Sequence, residues 1–163
     1  MIPNPKTINL PTKKLLGMWI EMTLAENKTG MLWGQFMPRR KEIRNNVNND
    51  LYSMQVYDKS LKMTDFNQET TFVKWAAIEV TDFDAIPEGM GAYTITGGKY
   101  VVFRHKGSVQ SFVKSINYIH EEWLPNSDYE LDAREHFEIL GEKYLGPNNP
   151  NSEEDVWIPI KVK

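Results

Sequence analysis

The stretch HFEIL, His136–Leu140, predicts a β-strand with an acid in its middle. Side chains alternate along an extended strand, so Phe137 and Ile139 share one face and Glu138 lies on the other. An ordinary half-exposed strand with its polar groups outward is one interpretation, because antiparallel sheets commonly have one solvated face. The role of Glu138 therefore depends on what its face of the sheet meets.

The composition is typical of a single globular domain without disulfides. The chain has 163 residues, of which 40% are hydrophobic and 12% aromatic, and this is enough for one well-packed core. We expect one domain over residues 1–163. The absence of cysteine excludes disulfides and thiolate chemistry, and three histidines offer little for a nitrogen-ligated metal site. We therefore expect no metal and no cofactor.

The charge and hydropathy of the chain argue against nucleic acids and membranes as binding partners. The net charge is −3 and the pI is about 5.7, which argues against direct nucleic-acid binding. The basic cluster in residues 39–44 is interpreted as a solvated helix face. The N-terminus has no secretory pattern, and no apolar run approaches the roughly 20 residues that a membrane span needs. We expect a soluble cytoplasmic protein that does not contact a membrane.

The first half of the chain reads strand, helix, strand, strand. Alternating or β-branched segments predict strands at Lys13–Thr23, Leu51–Asp58 and Thr71–Val80. Between the first two strands, apolar residues recur at near-helical spacing, and Pro38 must either kink that helix or begin a new one.

The second half repeats the same order. The segment AYTITGGKYVVFRHKG predicts two extended runs joined in a hairpin around Gly97-Gly98. A helix follows, with Ser108 as its predicted N-cap and Pro125 at its end. HFEIL and the closing segment VWIPIKV then supply two further strands.

The two halves also match residue by residue, which predicts an internal duplication. Their motifs align at offsets of 82 to 85 residues, giving repeats over about 1–84 and 89–163. The matched pairs are Lys14 with Lys99, Gln55 with Glu138, and Trp75 with Trp157.

Two such units can bury their sheets by joining edge to edge about a pseudo-two-fold axis. The predicted fold class is therefore α+β, with duplicated βαββ units in an antiparallel sheet. Two main helices pack on one side of this sheet and leave a central groove. Glu138 and Gln55 would both lie near the seam. Since one half carries an amide where the other carries an acid, the groove would have a single anionic end.

The chain resembles the GyrI-like small-molecule-binding domain, which is also the effector-binding domain of AraC-type and MerR-type multidrug regulators. The second half carries the resemblance in ITGGKYVVFRHKG, INYIHEEWLPNSDYELD, HFEIL and VWIPIK. The first half adds LWGQFMPRRKEI, YSMQVYD, FVKWAAIEV and IPEGM, which look like stand-alone members in particular. The resemblance covers nearly the whole chain.

The resemblance implies a groove that binds amphipathic, aromatic or cationic organic molecules, with Glu138 as the buried acid at its base. Aromatic residues would form the walls. The predicted ligand-binding residues are Glu138, Trp33, Phe36, Tyr57, Trp75, Trp157, Gln55 and Leu140.

Three functions stay open at this point. The first is a binding protein that senses or sequesters ligands, because a carboxylate and aromatic rings together attract flat cations without strict hydrogen-bond geometry. The second, implied by some stand-alone members, is a metal-independent hydrolase of reactive cyclopropyl compounds, in which Glu138 would be the acid or base. The third is a module that inhibits a protein partner. No helix-turn-helix segment is recognised, so direct DNA binding is not expected.

Overall fold

The computed structural model describes residues 4–163, so the first three residues of the predicted repeat over 1–84 lie outside it. The strands are β1 (Lys6–Leu10), β2 (Lys13–Met22), β3 (Leu51–Val56), β4 (Phe72–Val80), β5 (Gly91–Ile95), β6 (Gly98–Lys106), β7 (Tyr129–Leu131), β8 (His136–Leu140) and β9 (Glu153–Val162). The main helices are α1 (Thr29–Phe36) and α2 (Val109–Tyr118). Short helical segments follow at Met37–Glu42, Met63–Asp65 and Ile119–Trp123.

All nine strands form an antiparallel sheet in the order β1-β6-β9-β8-β3-β4-β2-β5, with β7 paired to β9. The predicted α+β class with two main helices is confirmed. Around the middle of the sheet, β3-β4-β2 from the first half mirrors β8-β9-β6 from the second. None of the helices within residues 4–163 is long and apolar enough to span a membrane.

The predicted hairpin around Gly97-Gly98 is wrong. β5 pairs with β2 and β6 pairs with β1, so each half gives its outer strand to the other half. The linker between β5 and β6 lies against the one between β1 and β2. A Cβ added to Gly97 would lie 2.7 Å from the Leu10 carbonyl oxygen, and this close approach explains why a glycine is needed there. β1 and β7 were not predicted.

The seam between the halves is the β3–β8 pair. Met54 lies opposite Phe137, with Ser53 opposite Glu138 on one side and Gln55 opposite His136 on the other. A two-fold axis through the Met54–Phe137 pair would exchange Gln55 with Glu138, which is the match expected from the sequence. This symmetry supports the duplication, which stays a prediction.

Alternation along the strands divides the core between the two faces of the sheet. On one face, α1 covers a cluster that contains Leu16, Leu32, Phe36, Ala76 and Ile78. On the same face, the helical segments after β6 cover a second cluster that contains Val101, Phe103, Ile119, Val156 and Ile158. The opposite face carries a third cluster that contains Tyr52, Met54, Trp75, Tyr100 and Phe137. The seam is therefore left open between the two helix-covered clusters.

Gly17 of β2 provides a test of the packing. A Cβ at this position would lie 2.1 Å from the Ala76 carbonyl oxygen of β4, so Gly17→Ala must push the two strands apart. We expect the free energy of unfolding to fall by about 1–3 kcal/mol, as in other overpacked cores, when it is measured by urea denaturation.

Gly34→Ala is the matched control. Gly34 lies in α1, and apart from its own helix no atom of residues 4–163 comes within 4 Å of an added Cβ. We therefore expect a change between zero and a gain of about 1 kcal/mol, since alanine favours helix. Equal effects of the two substitutions would contradict the close β2–β4 approach.

Candidate functional site

A groove runs over the seam, between α1 on one side and α2 with its continuation on the other. β3 and β8 form its floor, and β4 and β9 flank them. The floor side chains are those on the helix side of each strand. They comprise Ser53 and Gln55 from β3, His136, Glu138 and Leu140 from β8, Phe72 and Lys74 from β4, and Glu154 and Val156 from β9.

Glu138 lies at the centre of this floor. Gln55 donates a hydrogen bond from Nε2 to Oε1 of Glu138 at 3.2 Å, across the seam. Burial raises the pKa of Glu138, while Lys74 and the hydrogen bond from Gln55 act in the opposite direction. A carboxylate in this environment has few partners for its charge, and an arriving cation would favour its ionised form.

A second carboxylate and a lysine share the groove. Burial, and then the charge of Glu138, raise the pKa of Glu154 to about 7. Lys74 is only 7% exposed, and burial lowers its pKa although Glu138 and Glu154 oppose that change. In the described part of the chain, Lys74 makes no ion pair within 4.0 Å and no hydrogen bond from its ammonium. The floor therefore combines two acids with one buried cation.

Aromatic side chains line one end of the groove. Tyr57 packs edge-on against His136 with ring centroids 5.1 Å apart, and it also contacts Phe66 and Phe72 at 5.8 and 5.3 Å. Burial, and then the charge of Glu138, raise the pKa of Tyr57. Burial lowers the pKa of His136 to about 3, so its imidazole is neutral near pH 7. Trp33 of α1 faces the groove from the helix side.

The structure brings five of the predicted residues together. Glu138, Gln55, Tyr57, Trp33 and Leu140 all line the groove. Their arrangement joins a central acid, an amide beside it and aromatic walls, which are groups that can surround a flat organic cation.

Two of the other predicted residues, Phe36 and Trp75, do not line the groove, which corrects their expected place on its wall. Phe36 is fully buried beneath α1, where its ring packs edge-on against Trp33 at 6.0 Å. Trp75 lies on the opposite face of the sheet and stacks on Trp19 at 5.1 Å. The ring of Trp157 stacks on Phe137 at 5.5 Å on that face, and Trp157 also borders the groove. The reason is alternation, since Trp75 and Trp157 neighbour groove-facing residues in sequence.

Lys74 and Glu154 were missed by the sequence analysis. Lys74 had a detectable signal, because it is the one charge in the stripe Phe72, Lys74, Ala76, Ile78, Val80 of a strand predicted from its pattern. Glu154 had none, since it stands in the acidic run SEED before the predicted strand VWIPIKV, whereas β9 begins at Glu153.

Comparison with known proteins identifies the family to which this fold and groove belong. Residues 3–161 match the model of the GyrI-like small molecule binding domain. The chain belongs to the GyrI-like family. A GyrI-like domain is a small-molecule-binding domain, so the fold and the open groove agree with the general function of the family.

One relative of this GyrI-like chain is the transcriptional regulator BrlR of Pseudomonas aeruginosa, which is 28% identical over 155 residues. The match covers 95% of the chain and 54% of BrlR, so the chain spans about half the length of that regulator.

Two solved structures share the GyrI-like fold at 14% identity. The EcmrR C-terminal domain superposes with a TM-score of 0.71, with 100% of both chains covered. The structure of SAV2435 bound to tetraphenylphosphonium superposes with a TM-score of 0.70, covering 97% of this chain and 94% of SAV2435. At this identity the superpositions establish the shared fold.

Proposed function

We propose that this protein binds amphipathic aromatic cations in the groove over the β3–β8 seam, with Glu138 as the principal anionic contact. The observation that carries the proposal is a half-buried carboxylate in an open, aromatic-lined groove, which accepts a hydrogen bond from a neutral amide and has no ion pair within 4.0 Å among the described residues. A ligand cation would supply the opposite charge that residues 4–163 do not place within ion-pair distance of Glu138.

Simple electrostatics supports this ligand class. Two opposite charges about 4 Å apart attract by roughly 4 kcal/mol at an effective dielectric constant near 20, before the cost of desolvation. Each aromatic face in contact with the cation adds about 0.5–2 kcal/mol. Neither interaction demands one fixed geometry, so we expect several flat cations to bind. Tetraphenylphosphonium, to which SAV2435 is bound, is also an aromatic cation, with a tetrahedral and not a flat shape.

We propose that the biological role is ligand sensing or sequestration by one GyrI-like domain over residues 1–163. The similarity to BrlR supports a link to transcriptional regulation. Hydrolysis of cyclopropyl-type electrophiles, with Glu138 as acid or base, stays an alternative prediction. Mass spectrometry of such a compound after incubation with the protein checks for turnover.

The aromatic wall gives the first test by titration. We expect Trp33→Ala to weaken binding of N-methylacridinium about 3- to 10-fold, because the cation loses one aromatic face. Tryptophan fluorescence quenching or calorimetry would measure the change. Wild-type protein that binds no cation of a panel including N-methylacridinium and tetraphenylphosphonium would refute the proposed function.

Trp75→Phe is the control for this test. Trp75 lies across the sheet from the groove, so its replacement is expected to leave the affinity within about twofold, although it loses part of its stack on Trp19. Equal losses in Trp33→Ala and Trp75→Phe would contradict the assignment of the groove wall.

A further inference from the structure

Lys74 is a feature of the groove floor that a site for simple cations does not explain. A lysine on the floor repels the ligand that Glu138 attracts. Its side chain is more than nine-tenths buried, yet no protein oxygen within the described residues accepts a hydrogen bond from its ammonium. The ammonium nitrogen still reaches the groove, since the fully buried side-chain atoms without a partner among the described residues are Nη1 of Arg134 and Nε1 of Trp157. A ligand oxygen can therefore contact the ammonium and supply the missing acceptor.

The sheet register separates Lys74 from the acids. Lys74 of β4 lies directly beside Gln55 of β3, and Gln55 donates to Glu138 of β8. Glu154 lies one strand further, on β9. With strands about 4.8 Å apart, β4 and β9 are roughly 14 Å apart across the floor. The floor thus has a positive end on β4 and a negative end on β8 and β9.

The asymmetry between the halves reinforces this polarity. At the sequence offset of 82 residues that matches Trp75 with Trp157, Lys74 corresponds to Val156 and Glu154 to Phe72. At the offset of 83 residues, Glu138 corresponds to Gln55. Both acids therefore come from the second half, and the lysine comes from the first.

We propose that the groove selects ligands that carry an anionic or strongly accepting oxygen as well as a cation, with the oxygen on Lys74 and the cation near Glu138. The inference rests on the proposed function and names its substrate class, which is a zwitterionic or oxygen-bearing aromatic cation. Lys74 is the residue that determines this specificity. A ligand with both groups matches both ends of the floor, whereas a bare cation leaves the lysine unpartnered.

Rhodamine B and its methyl ester are suitable probes. They share one aromatic cation, and only rhodamine B carries a free carboxylate near pH 7. We expect wild-type protein to bind rhodamine B about 3- to 10-fold more tightly than the ester, as measured by fluorescence anisotropy. In Lys74→Met, which keeps the length and apolar stem of the side chain, the preference is expected to reverse: rhodamine B weakens about 10-fold and the ester tightens several-fold.

The outcomes separate the two proposals. If wild-type protein binds neither dye, and no other aromatic cation, the proposed function fails. If it binds both dyes and Lys74→Met changes both affinities by the same factor, the cation site stands and selection by Lys74 is overturned. Lys74→Gln, which keeps a neutral donor, is a second variant in case the methionine alters folding, and it is expected to retain part of the preference for rhodamine B. Urea denaturation of each variant checks that the fold is intact.

Discussion

Glu138→Gln is expected to weaken binding of N-methylacridinium about 10- to 100-fold at about pH 8, corresponding to a loss of roughly 1.5–3 kcal/mol for an interaction with a charged group. The substitution keeps the shape of the side chain and removes its charge. Gln55 can still face the new amide, since the amide oxygen accepts the hydrogen bond that Oε1 of Glu138 accepts at 3.2 Å. Calorimetry of wild type and variant would measure the difference.

A neutral probe isolates the charge in this experiment. Acridine has the same ring system as N-methylacridinium and is uncharged at about pH 8, so its affinity is expected to change by less than about threefold in Glu138→Gln. Glu69→Gln is the control for loss of a carboxylate, because Glu69 is exposed and lies outside the groove. A Glu138→Gln protein that loses both probes equally would show that the effect is structural and not electrostatic.

Much of the fold could be predicted because its elements are set by local patterns. HFEIL alternates between polar and apolar residues over His136–Ile139, and the predicted strand begins and ends where β8 does. The exchange of β1 and β5 between the halves could not be predicted in this way. The exchange depends on which strand of the sheet each outer strand pairs with. The glycines between β5 and β6 are compatible both with a hairpin and with a linker that leads to the other half of the sheet.

For strand residues, the candidate site was predicted where each side chain was assigned to the correct face of the sheet. Glu138 was assigned to the face opposite Phe137, and the structure places it there. Trp75 was assigned by chemical type, although its neighbour Lys74 occupies the groove face of β4. Because successive side chains point to opposite faces, a shift of one residue exchanges an aromatic wall for a buried cation. The face on which each side chain lies depends on the pairing between distant strands, and no single segment of the sequence determines that pairing.

Binding of a permanent cation is expected to tighten as the pH rises from about 6 to 8, and Glu154 is the expected cause. The pKa of Glu154 is about 7 in the free protein, so it is mostly protonated at the lower end of this range and ionised at the upper end. The ionised form attracts the cation, and a bound cation lowers this pKa. The logarithm of the Kd for N-methylacridinium should therefore fall with pH below 7, with a slope of at most about one, and flatten above it.

The other ionisable groups around Glu154 change the affinity in the same direction or do not titrate in this range. The pKa of Glu138 is raised and that of Lys74 is lowered, so either titration also makes the groove more negative as the pH rises. The pKa of Tyr144, which lines the groove, is raised by burial and then by Glu154, so Tyr144 stays neutral. His136 has a pKa of about 3 and is neutral throughout.

Glu154→Gln should remove most of the pH dependence near 7 and leave the affinity close to its low-pH value. The same substitution should stabilise the free protein. The pKa of Glu154 is higher in the folded protein than in the unfolded chain, so its contribution to stability is fully present below the unfolded pKa and is lost as the pH rises through about 7. We expect Glu154→Gln to raise the free energy of unfolding by about 2 kcal/mol at about pH 8 and to leave it nearly unchanged at about pH 4.

Glu153→Gln is the matched control, because the preceding residue of the same strand points to the other face, where Glu153 lies 3.8 Å from Arg104. It should retain the wild-type pH profile of binding. If Glu154→Gln also retained that profile while Glu138→Gln abolished cation binding, the titrating group would be Glu138 or Lys74. If Glu154→Gln were more stable above pH 7 and bound cations more weakly, the charge of Glu154 would contribute to binding and at the same time lower the stability of the free protein.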